Sequence, residues 1–519
     1  MSPRQRRMWR CSFAGAKVAV LLLMSRSFPA TAAPSDQPYP IGELASTMGG
    51  AAVAITHDGT APWYNPAGLG RVTDEGISAT LNVYGLQIER TKGFVDGLDL
   101  AGTKTAIFPG SVGYVKPLGV FGNGIHHAVG LALVVPDFAR HEVALDEQSG
   151  GYEFHIRERL LEQTLWIVPG WGACFGPRLC AGVSLQVGYW SSTGLYSFFE
   201  QGTADVLPTG ADSTVEQNDF SAVEAGMSVG VQYRASDSTW IGLSVRSPVM
   251  TVWGSGSILY MDANIDPVGL VRRANDNQVK IDERLPLNMR LGVGVDLQDW
   301  LLAADVSLSL PQSTYQSVRA QDGSTNLIAR DANGTQVGDP IDISVRQGRS
   351  TVVNVSLGAQ YRLSPKTAFQ AGFFTDFSGQ PYALIDELHP HINRYGVTAG
   401  VSFKGTSSTT TIGLIATIGT GRSYGINDQN QQINADAQSE AIYFTLGGST
   451  RLGDPPEKTA PAPPAETESV EKAAEPRPAT LTPGAEPTEA PEKPAGDVKA
   501  RRKLKMKGKM PRRTEDGQP

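Results

Sequence analysis

The sequence predicts an all-β fold: an antiparallel transmembrane β-barrel of about 14 strands. Three observations predict it. Apolar residues alternate with polar or very small ones at period two through the middle of the chain. The connections between these segments switch strictly between short and long. After an export leader, no stretch is long and apolar enough for a spanning helix, which needs about 20 residues. The 57 glycines and the 40% hydrophobic content suit a barrel wall, where only the outward half of each strand must be apolar.

Residues 1–33 read as a secretory leader. Arg4, Arg6, Arg7, Arg10 and Lys17 form a basic start, Val18 to Met24 form an apolar run, and Ala30-Thr31-Ala32 offers a cleavage site. Cys11 precedes the run and is not placed as a lipid acceptor. Removing the leader's six basic residues leaves 39 Lys+Arg against 52 Asp+Glu, a net charge of −13. That balance argues against nucleic acid as a partner of the body of the protein.

Residues 34–75 are rich in small side chains, with Gly49, Gly50, Ala51, Ala52 and Ala54 suited to a confined space. Asn65 followed by Pro66 is a helix-start signal: Asn caps free N–H groups, and Pro at the first helical position loses no hydrogen bond.

Residues 76–452 carry the strand pattern. Leu285, Leu287, Met289, Leu291, Val293, Val295 and Leu297 alternate with polar or small residues, as do Val353 to Leu363 and Met227 to Tyr233. In a membrane barrel the apolar face meets lipid and the polar face meets the lumen. Short turns are expected at Cys174–Cys180, Arg234–Thr239, Leu297–Trp300, Leu363–Lys366 and Lys404–Thr409. Long polar loops are expected at Asp137–Glu153, Gln201–Asp219, Asp262–Val279, Ala320–Ile341, Asp376–Asn393 and Arg422–Glu440. Short periplasmic turns and longer outside loops would place both chain ends in the periplasm. Trp166, Trp171, Tyr189, Trp190, Trp240, Trp253 and Tyr443 sit where interfacial belts do.

Cys174 and Cys180 flank a Gly-Pro turn, and an even pair in an oxidising compartment favours a hairpin disulfide over two free thiols. No metal site is expected: His126-His127 falls in a turn, and His389 and His391 read as plain loop residues. No hydrolase elbow or phosphate loop occurs, so neither a cofactor nor an enzymatic activity is expected. Leu259, Tyr260 and Met261, with Ile258, Ile265, Val268, Leu270 and Val271, are oily for a loop and are candidates to collect an apolar ligand. Lumen-facing Arg246 and Arg290 are candidates to pair with a carboxylate head group or to form structural ion pairs.

Residues 453–519 change character. Asp454 to Asp497 is rich in Pro, Ala and Glu, and is expected to be disordered, reaching on the order of 100 Å at about 3.1 Å per residue. A basic cluster from Lys499 to Arg513 follows, a candidate to hold an anionic envelope polymer or simply a solvated tail.

The segment Met48 to Leu69, with Gly49-Gly50-Ala51, Asp58 and Asn65-Pro66-Ala67-Gly68-Leu69, resembles the amino-terminal hatch of the FadL family. These are outer-membrane transporters of long-chain fatty acids, toluene and other hydrophobic compounds. The resemblance extends diffusely from Gly42 to Leu452, through Phe108 to Tyr114, Gly130 to Pro136, Ile241 to Pro248 and Leu285-Pro286. It implies a hatch over 34–75 and passive uptake of hydrophobic small molecules across the outer membrane of a Gram-negative bacterium, in contact with its lipid. It also implies a kink at Pro136, where proline removes a ladder hydrogen bond and the wall opens sideways. The tail departs from the family, whose barrels usually end at a carboxy-terminal aromatic strand. A structural, envelope-anchoring barrel that uses its basic tail is the alternative.

Overall fold

The computed structural model describes residues 39–95, 98–122, 124–149, 152–202, 211–264, 270–385, 389–426 and 432–452. The leader, the tail with its basic cluster, Ile265 and Val268 lie outside them.

The wall is an antiparallel barrel of 14 strands. β1 to β6 are Gly76–Val95, Leu98–Phe121, Ile125–Ser149, Tyr152–Phe175, Leu179–Gly202 and Ala211–Arg234. β7 runs in two pieces, Thr239–Arg246 and Val249–Asn264, and β8 in three, Leu270–Ile281, Arg284–Leu285 and Asn288–Asp296. β9 comprises Trp300–Ser309 and Gln312–Arg319, and β10 Val345–Arg349 and Val352–Ser364. β11 to β14 are Thr367–Asp376, His391–Lys404, Ser408–Ile426 and Gln432–Arg451. β1 pairs with β14 from Gly76–Arg451 to Lys92–Asp436 and closes the ring. Pro248 and Pro311 mark the breaks in β7 and β9, and Pro286 marks one of the two in β8, because proline donates nothing to a ladder.

Every strand shows large apolar residues on its outer face. Leu81, Val112, Leu133, Ile167, Leu185 and Val229 do so on β1 to β6, and Leu243, Leu291, Val306 and Leu357 on β7 to β10. Phe373, Val397, Ile412 and Phe444 complete the ring. The inversion expected from the alternation is present: Met289, Leu291 and Val293 are exposed, while Pro286, Asn288 and Gly292 are buried. A continuous apolar belt of this extent is an interaction surface, and on a closed barrel its natural solvent is hydrocarbon.

Two expectations about the wall need correction. Asp137–Glu153, Gln201–Asp219, Asp262–Val279 and Arg422–Glu440 are not mainly loops but strand extensions. Asp137 pairs with Thr164 and Ser149 with Tyr152, for example, and Gln201 pairs with Ala211. β4 is 24 residues long, more than twice the roughly 9–11 that a tilted strand needs to cross a bilayer. Polar residues on both faces mark strand continuing into water, which composition cannot separate from loop. Ala320–Ile341 and Asp376–Asn393 do remain largely connections, with only a two-residue strand at each end of the first and a 3-10 turn at Tyr382–Leu384. The second correction concerns the aromatic belt. Trp171, Tyr189 and Trp253 face outward, but Trp166 and Trp190 are buried inward, and Trp240 and Tyr443 are partly buried against interior residues. Strand parity, not position near a strand end, decides which face an aromatic takes.

Candidate functional site

Residues 39–75 lie inside the ring. A short helix, α1 (Ala61–Tyr64), leads into a 3-10 turn at Pro66–Arg71, with Asn65 between them. The segment touches all fourteen strands, mostly where the wall presents glycine. Thr47 packs at Gly400 and Gly413, Met48 at Gly358, Val53 at Gly242, Leu69 at Gly130 and Gly170, and Glu43 at Gly447. At Gly113, Gly182 and Gly372 a methyl group would overlap the backbone of Gly59, Pro66 and Gly49 respectively. Small residues on both partners therefore set how closely segment and wall approach.

Specific bonds pin the segment. Asn65 is fully buried. Its amide donates to the Val53 carbonyl at 2.9 Å, and to the wall carbonyls of Val231 and Leu243 at 3.2 and 3.4 Å. Its side-chain oxygen accepts from the Ala67 N–H at 3.1 Å. Pro66 and Ala67 occupy the turn beneath this cap, and Gly68 and Leu69 pack among β3 to β6. Asp58 closes a local loop by accepting from the Thr60 N–H at 2.8 Å and the Thr60 hydroxyl at 2.6 Å. On β9, Asp305 Oδ2 accepts from the Ala52 and Val53 N–H groups at 2.7 and 2.9 Å. Thr398 on β12 accepts from the Gly49 N–H at 3.0 Å and donates to the Thr47 carbonyl at 2.8 Å. Arg71 donates to Ala54 O and Gln232 Oε1 and lies 4.1 Å over the Trp240 ring. Burial lowers the Arg71 pKa to about 10, which leaves it charged at neutral pH.

An open cavity of about 120 Å³ lies between this segment and β7 to β11. Tyr39, Tyr64, Phe374 and Phe377 give it apolar surface, and Arg246, Arg290 and Arg349 give it cations, with Asp305 and Asp376 opposing them. The Arg246 guanidinium stands 5.4 Å from the Trp63 ring, and Arg290 stands 5.8 Å from that of Tyr64. Arg290 also donates to Asn288 Oδ1 at 3.1 Å. The structure thus brings into one cavity the two arginines that the alternation assigns to the lumen. Sequence reasoning misses Arg349 and Asp305. Asp305 is visible as an acid on the inward parity of an otherwise apolar strand, whereas Arg349 follows a long connection that hides its parity.

Other candidates lie elsewhere. Ile258 to Met261 belong to β7 rather than to a loop. Ile258 and Tyr260 are buried inward among Phe220, Trp190, Ile281 and the connecting segment's Leu327 and Ile343, while Met261 faces out and Leu259 is partly exposed. They do not form one collecting patch. Cys174 and Cys180 are directly opposed across the β4–β5 turn with their sulfurs bonded. His391 sits at the start of β12, its ring stacked on Tyr382, and no group of metal-ligating residues occurs among the described residues.

Pro136 is buried at an irregularity in β3. The β3–β4 register shifts between Val134 and Asp137, and the β2–β3 ladder ends at Ser111–Val134. Among the described residues, β2 beyond that point pairs only with β1, and β3 only with β4. The wall is therefore split between β2 and β3, and Tyr39 of the inner segment reaches this point with a 3.4 Å bond to the Val135 carbonyl.

A closed barrel with an apolar belt and a chain segment pinned across its lumen defines an outer-membrane-type β-barrel. Solved structures share this fold. A FadL homologue from Pseudomonas aeruginosa superposes with a TM-score of 0.54 at 14% identity, covering 79% of this chain and all of that one. The Pseudomonas putida toluene transporter TodX gives 0.55 at 15%, covering 80% and 99%, and the monoaromatic hydrocarbon channel CymD gives 0.51 at 13%, covering 80% and 98%. No protein-family model and no curated protein matches the chain.

Proposed function

We propose that this chain is a passive outer-membrane transporter of hydrophobic compounds, such as long-chain fatty acids or aromatic hydrocarbons. The carrying observation is the juxtaposition of the amphipathic cavity, the pinned inner segment and the split in the wall beside that segment. In this reading residues 34–75 are the hatch, with Asn65-Pro66-Ala67-Gly68-Leu69 and Asp58 shaping it. Arg246 and Arg290 hold a polar end of the ligand while the aromatic walls take its apolar body. Lateral exit is favoured physically, since each CH₂ moved from water into an apolar medium contributes about 0.8 kcal/mol. The likeness to a toluene transporter and to a hydrocarbon channel supports the substrate class. In this reading both termini face the periplasm, and the basic run Lys499 to Arg513 is the candidate contact for an anionic envelope polymer.

The test is uptake of labelled fatty acid and labelled toluene by a deletion strain, with and without the gene restored. Restoring the gene should raise uptake of at least one compound, and no rise in either would refute transport. Cysteine tags in Ala320–Ile341 should react with an impermeant reagent on intact cells, and tags at Leu363–Lys366 should not. Equal labelling would refute the orientation.

A further inference from the structure

At the end of the barrel away from Gly76 and Arg451, the inner wall carries carboxyl and phenol groups where the other cavity carries arginines. On the inner faces of β4 to β7, Glu158, Tyr196, Glu216 and Tyr260 stand side by side, each directly opposite the next. Glu216 is 2% exposed and flanked by the two tyrosines, and Asn218, two residues on and on the same face, is 1% exposed. The Asn218 side chain leans over Gly194 of β5, close to where a Cβ would stand. Glu216 Oε1 and Asn218 Oδ1 are both buried without a hydrogen-bond partner. Both oxygens can accept, so the chemistry they call for is a donor, and one that carries its own positive charge lets the buried Glu216 carboxyl ionise beside it. Asn218 lies directly opposite Ile258, which packs with Phe220, Trp190 and Tyr260 in an apolar cluster. Faces of aromatic rings attract cations, by about 0.5–2 kcal/mol.

We infer that Glu216 and Asn218 form a binding subsite for the ammonium head of an amphiphilic organic amine, whose apolar body lies against Phe220 and Ile258. This inference rests on the reading that the barrel admits hydrophobic compounds. It adds a head-group preference that the arginines of the lower cavity do not provide. An ammonium supplies up to three N–H donors, enough for both orphan oxygens, and its charge is strengthened in a site that excludes water.

The experiment uses the purified full-length protein in detergent and three probes matched in size: 4-phenylbutylamine, 4-phenylbutanol and 4-phenylbutanoate. Calorimetric titration should show the amine binding roughly tenfold more tightly than the alcohol, the scale of one charge-assisted contact. Glu216→Gln keeps the shape and should reduce that ratio to about one. Asn218→Leu should lower the ratio partially, and heat-modifiable mobility on a gel verifies that both variants fold. An amine that binds no better than the alcohol, or a preference that survives Glu216→Gln, overturns the subsite while leaving hydrophobic uptake intact. If none of the three binds, the transport reading and the subsite fall together.

Discussion

Asn65 holds the inner segment in its docked conformation, and replacing it with alanine gives the most direct test of how firmly. The cap to Ala67 contributes about 1 kcal/mol. The amide's bond to Val53 at 2.9 Å contributes about 1 kcal/mol more. The loss is not larger, because the Val53 carbonyl keeps its bond from Gln232 Nε2 at 3.1 Å. The two longer wall contacts, at 3.2 and 3.4 Å, add little. Asn65→Ala should therefore weaken docking of the segment by about 2 kcal/mol, raising its detached fraction roughly 30-fold. A reporter cysteine in place of the fully buried Ala51 reads that fraction through its labelling rate with an impermeant maleimide. Cys174 and Cys180 are bonded to each other and do not compete. The labelling rate should rise about 30-fold while the barrel keeps its heat-modifiable mobility. An unchanged rate in a folded barrel would refute the anchoring role, and loss of the barrel would show that Asn65 belongs to the wall's own stability.

Three further outcomes follow from the same geometry. Pro136→Val restores a backbone donor beside the β2–β3 split and should reduce uptake of long-chain ligands without weakening their binding; unchanged uptake with the split still open in a structure of the variant would remove lateral exit. Glu43 in the inner segment accepts from Thr411 at 3.1 Å, and burial raises its pKa above the usual 4.5. An acid whose folded pKa is raised loses docking stability as pH climbs above its unfolded value, so labelling at the Ala51 reporter should accelerate from pH 4.5 upward, and Glu43→Gln should flatten that profile. Replacing Cys174 and Cys180 with serine opens a loop of sequence separation 6 and should cost about 2 kcal/mol of stability, measured by thermal unfolding, with uptake unchanged.

The alternation of Met289, Leu291 and Val293 with Asn288, Arg290 and Gly292 is enough to establish strands with one oily face, because side-chain parity along a strand is strictly local. The same parity assigns Arg246 and Arg290 to the lumen side. Asn65-Pro66 announces its own cap, since a cap and the residues it satisfies are neighbours in sequence. What the sequence does not separate is strand from loop where both faces are polar, as at Asp137–Glu153, because hydrophilic strand in water carries no apolar signal. Nor does it show which partner meets which across the lumen. Asp305 reaches Ala52 and Val53 across 252 residues or more of chain, and Thr398 reaches Thr47 across 351. Pro136 by itself fits a strand end as well as a kink; only the ladder that stops at Ser111–Val134 distinguishes them. Local chemistry fixes the face each residue takes. Closure of the barrel, a property of the whole ring, decides which residues meet inside it.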